Sequence, residues 1–136
     1  AVPQAQTLED QQLLAVSPID GRYRRNTASL ASYFSEFALF KYRVHIEVEY
    51  FCALCAVPAV KQLNGVTTEQ LQRLRELCAM DGFTLADAKK IKETEKVTNH
   101  DIKAVEYFVK DKMQEAGLGD VVEFIHFGLT SQDINN

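Results

Sequence analysis

Three short polar segments hold the residue types that bind anions and move protons: Gly21-Arg22-Tyr23, Thr98-Asn99-His100-Asp101 and Leu129-Thr130-Ser131-Gln132-Asp133. A guanidinium grips a phosphate or carboxylate through parallel N–H bonds, and a phenol beside it adds a further donor. An imidazole in the first turn of a helix sits where the dipole favours the neutral ring, able to give or take a proton. Threonine and serine hydroxyls at a helix start join unpaired backbone N–H groups that favour negative charge. A ligand with a phosphate and carboxylates suits that set. Plainer readings stand beside it: Thr98 and Thr130 as helix caps alone, Arg22 as part of a solvated basic loop with Arg24 and Arg25, and His100 as a surface histidine. His126, between Ile125 and Phe127, reads as a core or packing histidine, and His45 as a surface or interface one.

The elements that must position these segments are helices. Ser17-Pro18-Ile19-Asp20-Gly21 is turn chemistry, a fixed φ followed by a residue pair that tolerates positive φ. From residue 35 to about 56, Phe37, Phe40, Val44, Val48, Phe51 and Cys55 recur at spacings of three and four, one face of a long helix that Pro58 ends. Thr67 with Gln70, Thr84 with Asp87 and Thr98 with Asp101 have the spacing of a capping box, so each opens a helix. Leu71, Leu74, Leu77 and Cys78 mark the first of these, Ala88, Ile91 and Glu95 the second, and Ile102, Val105, Phe108, Val109 and Met113 the third. Gly117 and Gly119 end the last.

Residues 121–127 fit the helical and the strand period nearly equally, and their helical surroundings favour helix. Gly128 breaks that segment, and Thr130 with Asp133 opens another helix. The chain stops at Asn136, about one turn into it and without a terminating signal, which reads as a truncated element. An apolar surface at Val122, Ile125 and Phe127 is expected to lack partners. The opening dozen residues have no periodic apolar face and read as a flexible arm.

A content of 46% hydrophobic and 25% charged residues in 136 suits one globular domain with a core. Fifteen basic against nineteen acidic side chains leave a net charge of −4, interspersed along the sequence, so no global field attracts nucleic acid or an anionic membrane. Anion binding must be local. Neither a membrane span nor a secretory signal is legible, and the chain reads as cytoplasmic. Cys52, Cys55 and Cys78 read as reduced thiols. The Cys52-x-x-Cys55 pair lies in a helical pattern without a second pair or nearby histidines, which favours core packing over a metal or redox site.

At these segments the chain resembles the adenylosuccinate lyases. The stretches that carry the resemblance are Ser17-Pro18-Ile19-Asp20-Gly21-Arg22-Tyr23, then Thr98-Asn99-His100-Asp101-Ile102-Lys103-Ala104-Val105-Glu106-Tyr107-Phe108, then Glu123-Phe124-Ile125-His126-Phe127 with Thr130-Ser131-Gln132-Asp133-Ile134-Asn135-Asn136. Residues 56–84 match that pattern poorly. The resemblance implies an all-α member of the fumarase/aspartase superfamily, with residues 1–14 an arm, 15–128 the amino-terminal helical domain and 129–136 the start of the central helical bundle. It implies a homotetramer that eliminates fumarate from adenylosuccinate, giving AMP, and from the succinyl-carboxamide intermediate of purine synthesis, with no metal or cofactor.

The same resemblance makes Arg22 and Tyr23 a substrate-binding pair, Asn99, His100 and Asp101 a second contact loop, and Thr130 and Ser131 donors to the substrate. It sets His100 close to the reacting centre, orienting substrate or assisting the proton donor. The family's principal acid histidine and base serine lie farther along than Asn136, so the isolated chain is expected to be inactive. Two rivals remain: a helical binding module without catalysis, and another lyase of the superfamily, such as one acting on argininosuccinate.

Overall fold

The computed structural model describes residues 3–136; among them there is no strand. The chain divides within its longest helix into two compact units, residues 1–38 and 39–136.

The first unit holds three short α-helices, a 3-10 turn (Ala28–Leu30) and the start of the long helix: α1 (Leu8–Leu13), α2 (Arg24–Thr27), α3 (Ala31–Phe34) and the opening of α4 (Glu36–Cys55). α1 lies inside the expected arm. Its cause is a capping box: Asp10 N–H donates to the Thr7 hydroxyl at 3.0 Å, and the Asp10 carboxylate accepts from Thr7 N–H at 2.9 Å. The expected loop follows, closed by Gly21 N–H to Ser17 O at 2.9 Å and Tyr23 N–H to Pro18 O at 2.8 Å. One reading changes here. Gly21 is not at positive φ; it is needed because a Cβ at that position would lie 2.5 Å from the Gln12 carbonyl oxygen.

α4 is capped within the first unit by Ser35, whose hydroxyl accepts from Ala38 N–H at 3.1 Å, and from Leu39 on it belongs to the second. Most of the expected face is buried: Phe40, Val44, Val48 and Phe51 are each at most 2% exposed, while Phe37 and Cys55 are only partly covered. Burial of such a side chain contributes about 1.5–3 kcal/mol. Then come α5 (Thr68–Leu77) and α6 (Leu85–Thr98), opened by the capping boxes of Thr67 with Gln70 and of Thr84 with Asp87. α7 (Asp101–Glu115) packs on α6 and buries Ile102, Val105, Phe108, Val109 and Met113. Gly117 ends it at φ 76°, where Leu118 N–H returns to Met113 O at 2.8 Å.

Three expectations need correcting. Thr98 does not cap α7; it is the last residue of α6, Asn99 follows in the left-handed conformation at φ 51°, and His100 is the cap. Asn99, tolerant of that conformation, turns the chain so that α7 starts two residues later than a cap at Thr98 would set. Residues 119–124 form a 3-10 helix that stops short of Phe127, because Ile125 is extended and His126 takes φ 58°. The expected bare apolar surface is only partial: Ile125 is buried, whereas Phe127 is 51% exposed. The chain closes with α8 (Ser131–Asn135).

Replacing Gly21 by Ala should drive a Cβ into a backbone oxygen that has no rotamer to yield, at a local cost of about 1–3 kcal/mol. Residue-resolved amide exchange is the check: the Tyr23 N–H should exchange roughly tenfold faster or more, and unchanged protection would contradict the close approach.

Candidate functional site

His100 occupies a position with defined chemistry. Its Nδ1 accepts from the Lys103 N–H at 3.1 Å, which leaves the neutral ring with its proton on Nε2. That nitrogen belongs to a half-exposed side chain. Thr98 steadies the approach, its hydroxyl donating to the His100 carbonyl at 3.1 Å. Asn99, in the tight bend between α6 and α7, is exposed.

Asp101 is committed elsewhere. Its carboxylate accepts from Ile102 N–H at 2.8 Å and from the Arg43 guanidinium at 2.8 Å. Burial alone pushes the Asp101 carboxyl up, but these contacts outweigh it and hold the group below the usual carboxylate range. Arg43 is 6% exposed and reaches a second partner with the rest of its fork: Nε and Nη2 donate to Asn135 Oδ1 at 3.1 and 2.7 Å. One guanidinium thus joins the first residue of α7 to α8. The second and third polar segments, far apart in sequence, are tied through it.

The start of α8 is built on Asp133. The Thr130 N–H and hydroxyl both donate to its carboxylate, at 2.7 and 2.9 Å. The Thr130 proton is therefore engaged within the chain, and its oxygen keeps lone pairs to offer. Ser131 is half-buried at the first helical position.

The turn leading into this segment is gripped from α4. Glu47, fully buried, meets His126 Nδ1 at 2.5 Å, and the Tyr50 hydroxyl donates to Phe127 O at 2.8 Å. His126 is thus a partnered packing histidine, as its apolar neighbours suggest. Burial pushes the Glu47 carboxyl above its ordinary value despite the opposing His126 contact, and the nearby Glu106 carboxylate adds to the rise. The other Glu47 oxygen has no hydrogen-bond partner among the described residues.

Arg43, Glu47 and Tyr50 were not picked out from sequence. Their signal was there, since spacings of four and three put them on one side of α4, beside Val44, Val48 and Phe51. Arg22 and Tyr23 belong to the other unit, exposed after the Gly21 turn, with the Arg22 guanidinium 5.8 Å from the centroid of the Tyr23 ring. Among the described residues no group of three or more His, Cys, Asp and Glu is placed to hold a metal, and no helix is long and apolar enough to cross a membrane.

No family model matches the chain. Among curated proteins it is 56% identical over 127 residues to an adenylosuccinate lyase of Dictyostelium discoideum, and 48% identical over 125 residues to one of Legionella pneumophila; each alignment takes in 91% of this chain and 27% of the relative. It is also 45% identical over 130 residues to the adenylosuccinate lyase of Escherichia coli, 95% of this chain and 28% of that protein. The chain therefore spans little more than a quarter of the length of the curated relatives it matches. The all-helical architecture of the described residues agrees with the fold class that the resemblance implies. Over nine-tenths or more of its length the chain is similar to proteins that all carry the name adenylosuccinate lyase.

The α8 cap should fail in acid. Hydrogen bonds from the Thr130 N–H and hydroxyl hold the Asp133 carboxyl below its ordinary 3.8. A depressed folded pKa contributes stability that is present above the unfolded value and lost as pH falls through the folded one. Asp133 should accordingly titrate below 3.8 in a carboxyl-detected NMR titration, with Thr130 amide protection lost over the same window. A midpoint at or above 3.8 would contradict the cap.

Proposed function

We propose that the chain is the amino-terminal, substrate-binding part of an adenylosuccinate lyase. The full enzyme would eliminate fumarate from adenylosuccinate to give AMP, and from the succinyl-carboxamide purine intermediate, by general acid and base chemistry. The observation that carries this reading is identity of 45–56% to proteins of that name over nine-tenths of the chain or more.

Elimination of this kind removes a weakly acidic proton beside a carboxylate and protonates a departing nitrogen, so it needs fixed donors around the carboxylates and groups for both proton transfers. Arg22 and Tyr23 supply an exposed guanidinium and phenol for a phosphate or carboxylate. Asn99 and His100 form the second contact, with the Nε2–H of His100 orienting substrate or assisting the proton donor. Thr130 and Ser131 supply hydroxyls at the start of α8. Asp101 takes part by holding the segment, since its carboxylate already serves Arg43 and Ile102. The principal acid and base belong to the part of the enzyme after Asn136, and a tetramer would bring the segments of different subunits together. The chain alone is then inactive.

The test is fumarate release by the full-length enzyme containing this segment. Adenylosuccinate should be turned over, and Arg22→Ala should lower kcat/KM by the equivalent of about 1.5–3 kcal/mol, the value of a charged hydrogen bond. Unchanged kcat/KM would remove Arg22 from the site. Turnover of argininosuccinate in place of adenylosuccinate, or robust turnover by the 136-residue chain alone, would overturn the reading itself.

A further inference from the structure

Arg43 carries a charge that is almost wholly out of water, and a buried guanidinium is tolerated only where its donors are matched by acceptors. The acceptors it has are informative. One is the Asp101 carboxylate, next in sequence to His100; the other is Asn135 Oδ1, at the far end of α8 from Thr130 and Ser131. The planar fork fixes direction as well as distance, because Nη1 must meet Asp101 while Nε and Nη2 share one oxygen. α8 has only five residues and one buried side chain, Ile134, so few other contacts set its placement.

We propose that Arg43 is a positioning residue of the lyase site: by bridging Asp101 and Asn135 it holds the His100 contact and the Thr130–Ser131 hydroxyls at the separation the substrate requires. It meets no substrate itself. The proposal rests on the reading of these segments as substrate-binding, and it gives Asp101 and Asn135 roles as the two anchors. It also accounts for a buried charge on α4 at a place where an aliphatic side chain would pack more cheaply.

The experiment uses the full-length enzyme, with kcat and KM for adenylosuccinate measured at a temperature where circular dichroism finds each variant folded. Asn135→Ala keeps the Arg43–Asp101 pair and frees α8, and kcat/KM should fall roughly 10- to 100-fold, the scale of a misplacement of about 1 Å. KM should carry most of the change, since the freed groups bind substrate. Asn135→Asp restores an acceptor for the guanidinium and should regain most of the loss, a rescue that a merely structural role does not predict. Arg43→Lys cannot serve both partners at once and should be impaired in the same direction.

Wild-type kcat/KM in Asn135→Ala would overturn the proposal. If that variant does not fold, wild-type kcat/KM in Arg43→Lys overturns it equally. Asn135→Asp as impaired as Asn135→Ala would also overturn it, by putting the amide N–H against substrate. Failure of the wild-type enzyme to release fumarate would instead sink the functional reading on which the proposal stands.

Discussion

The second unit is organised around a buried cation. Removing one partner of a buried ion pair typically costs about 3–5 kcal/mol, because the remaining charge is left uncompensated. At Arg43 the figure belongs at or below the lower end, since the Asp101 side chain is 45% exposed and water screens it. Well-packed aliphatic side chains often match a buried pair in stability. What they do not supply is direction. The guanidinium has to be met from two sides, and the two sides are the opening of α7 and the body of α8.

The same side of α4 continues that logic. Four residues on from Arg43, Glu47 holds His126, and three further on Tyr50 holds the Phe127 carbonyl. A histidine at φ 58° is in a conformation that costs a non-glycine residue roughly 1–2 kcal/mol. Its buried carboxylate partner offsets that cost and keeps the turn from relaxing into a longer helix. Gly128, at φ 76°, then takes the second left-handed position without such a penalty. Thr130 and Ser131 follow at once, so the hydroxyls inherit their placement from α4 through the turn and through Asn135. The apolar stripe of Phe40, Val44, Val48 and Phe51 gives that helix a fixed seat in the core.

Much of this was legible in the residues. The long helix, the caps at Thr67 and Thr84, and the glycine after α7 follow from local rules that depend on a few neighbouring side chains. Thr98 was misread because a hydroxyl three residues before an acid has the capping spacing in two registers of meaning: here the left-handed Asn99 ends α6 first, and the imidazole of His100 does the capping. α1 was missed because its capping box lies in a stretch without an apolar face. Gly21 was placed in the right turn for the wrong reason, since the approach of the Gln12 carbonyl is a contact between residues that local spacing does not encode. The polar side of α4 has the regular spacing of a helix face, but its partners lie 58 to 92 residues away in sequence, and nothing local announces that those charges are inside.

The proposed site therefore has two layers: segments proposed to meet substrate, and a helix that ties two of them together. The holding claim is tested most directly on the guanidinium itself, by NMR measurement of solvent exchange at the Arg43 Nε–H in the 136-residue chain. The account predicts one slowly exchanging resonance, accelerated by Asn135→Ala while the amides of the α7 core keep their protection. Exchange at the rate of an exposed arginine such as Arg24, or no response to loss of the Asn135 side chain, would contradict it.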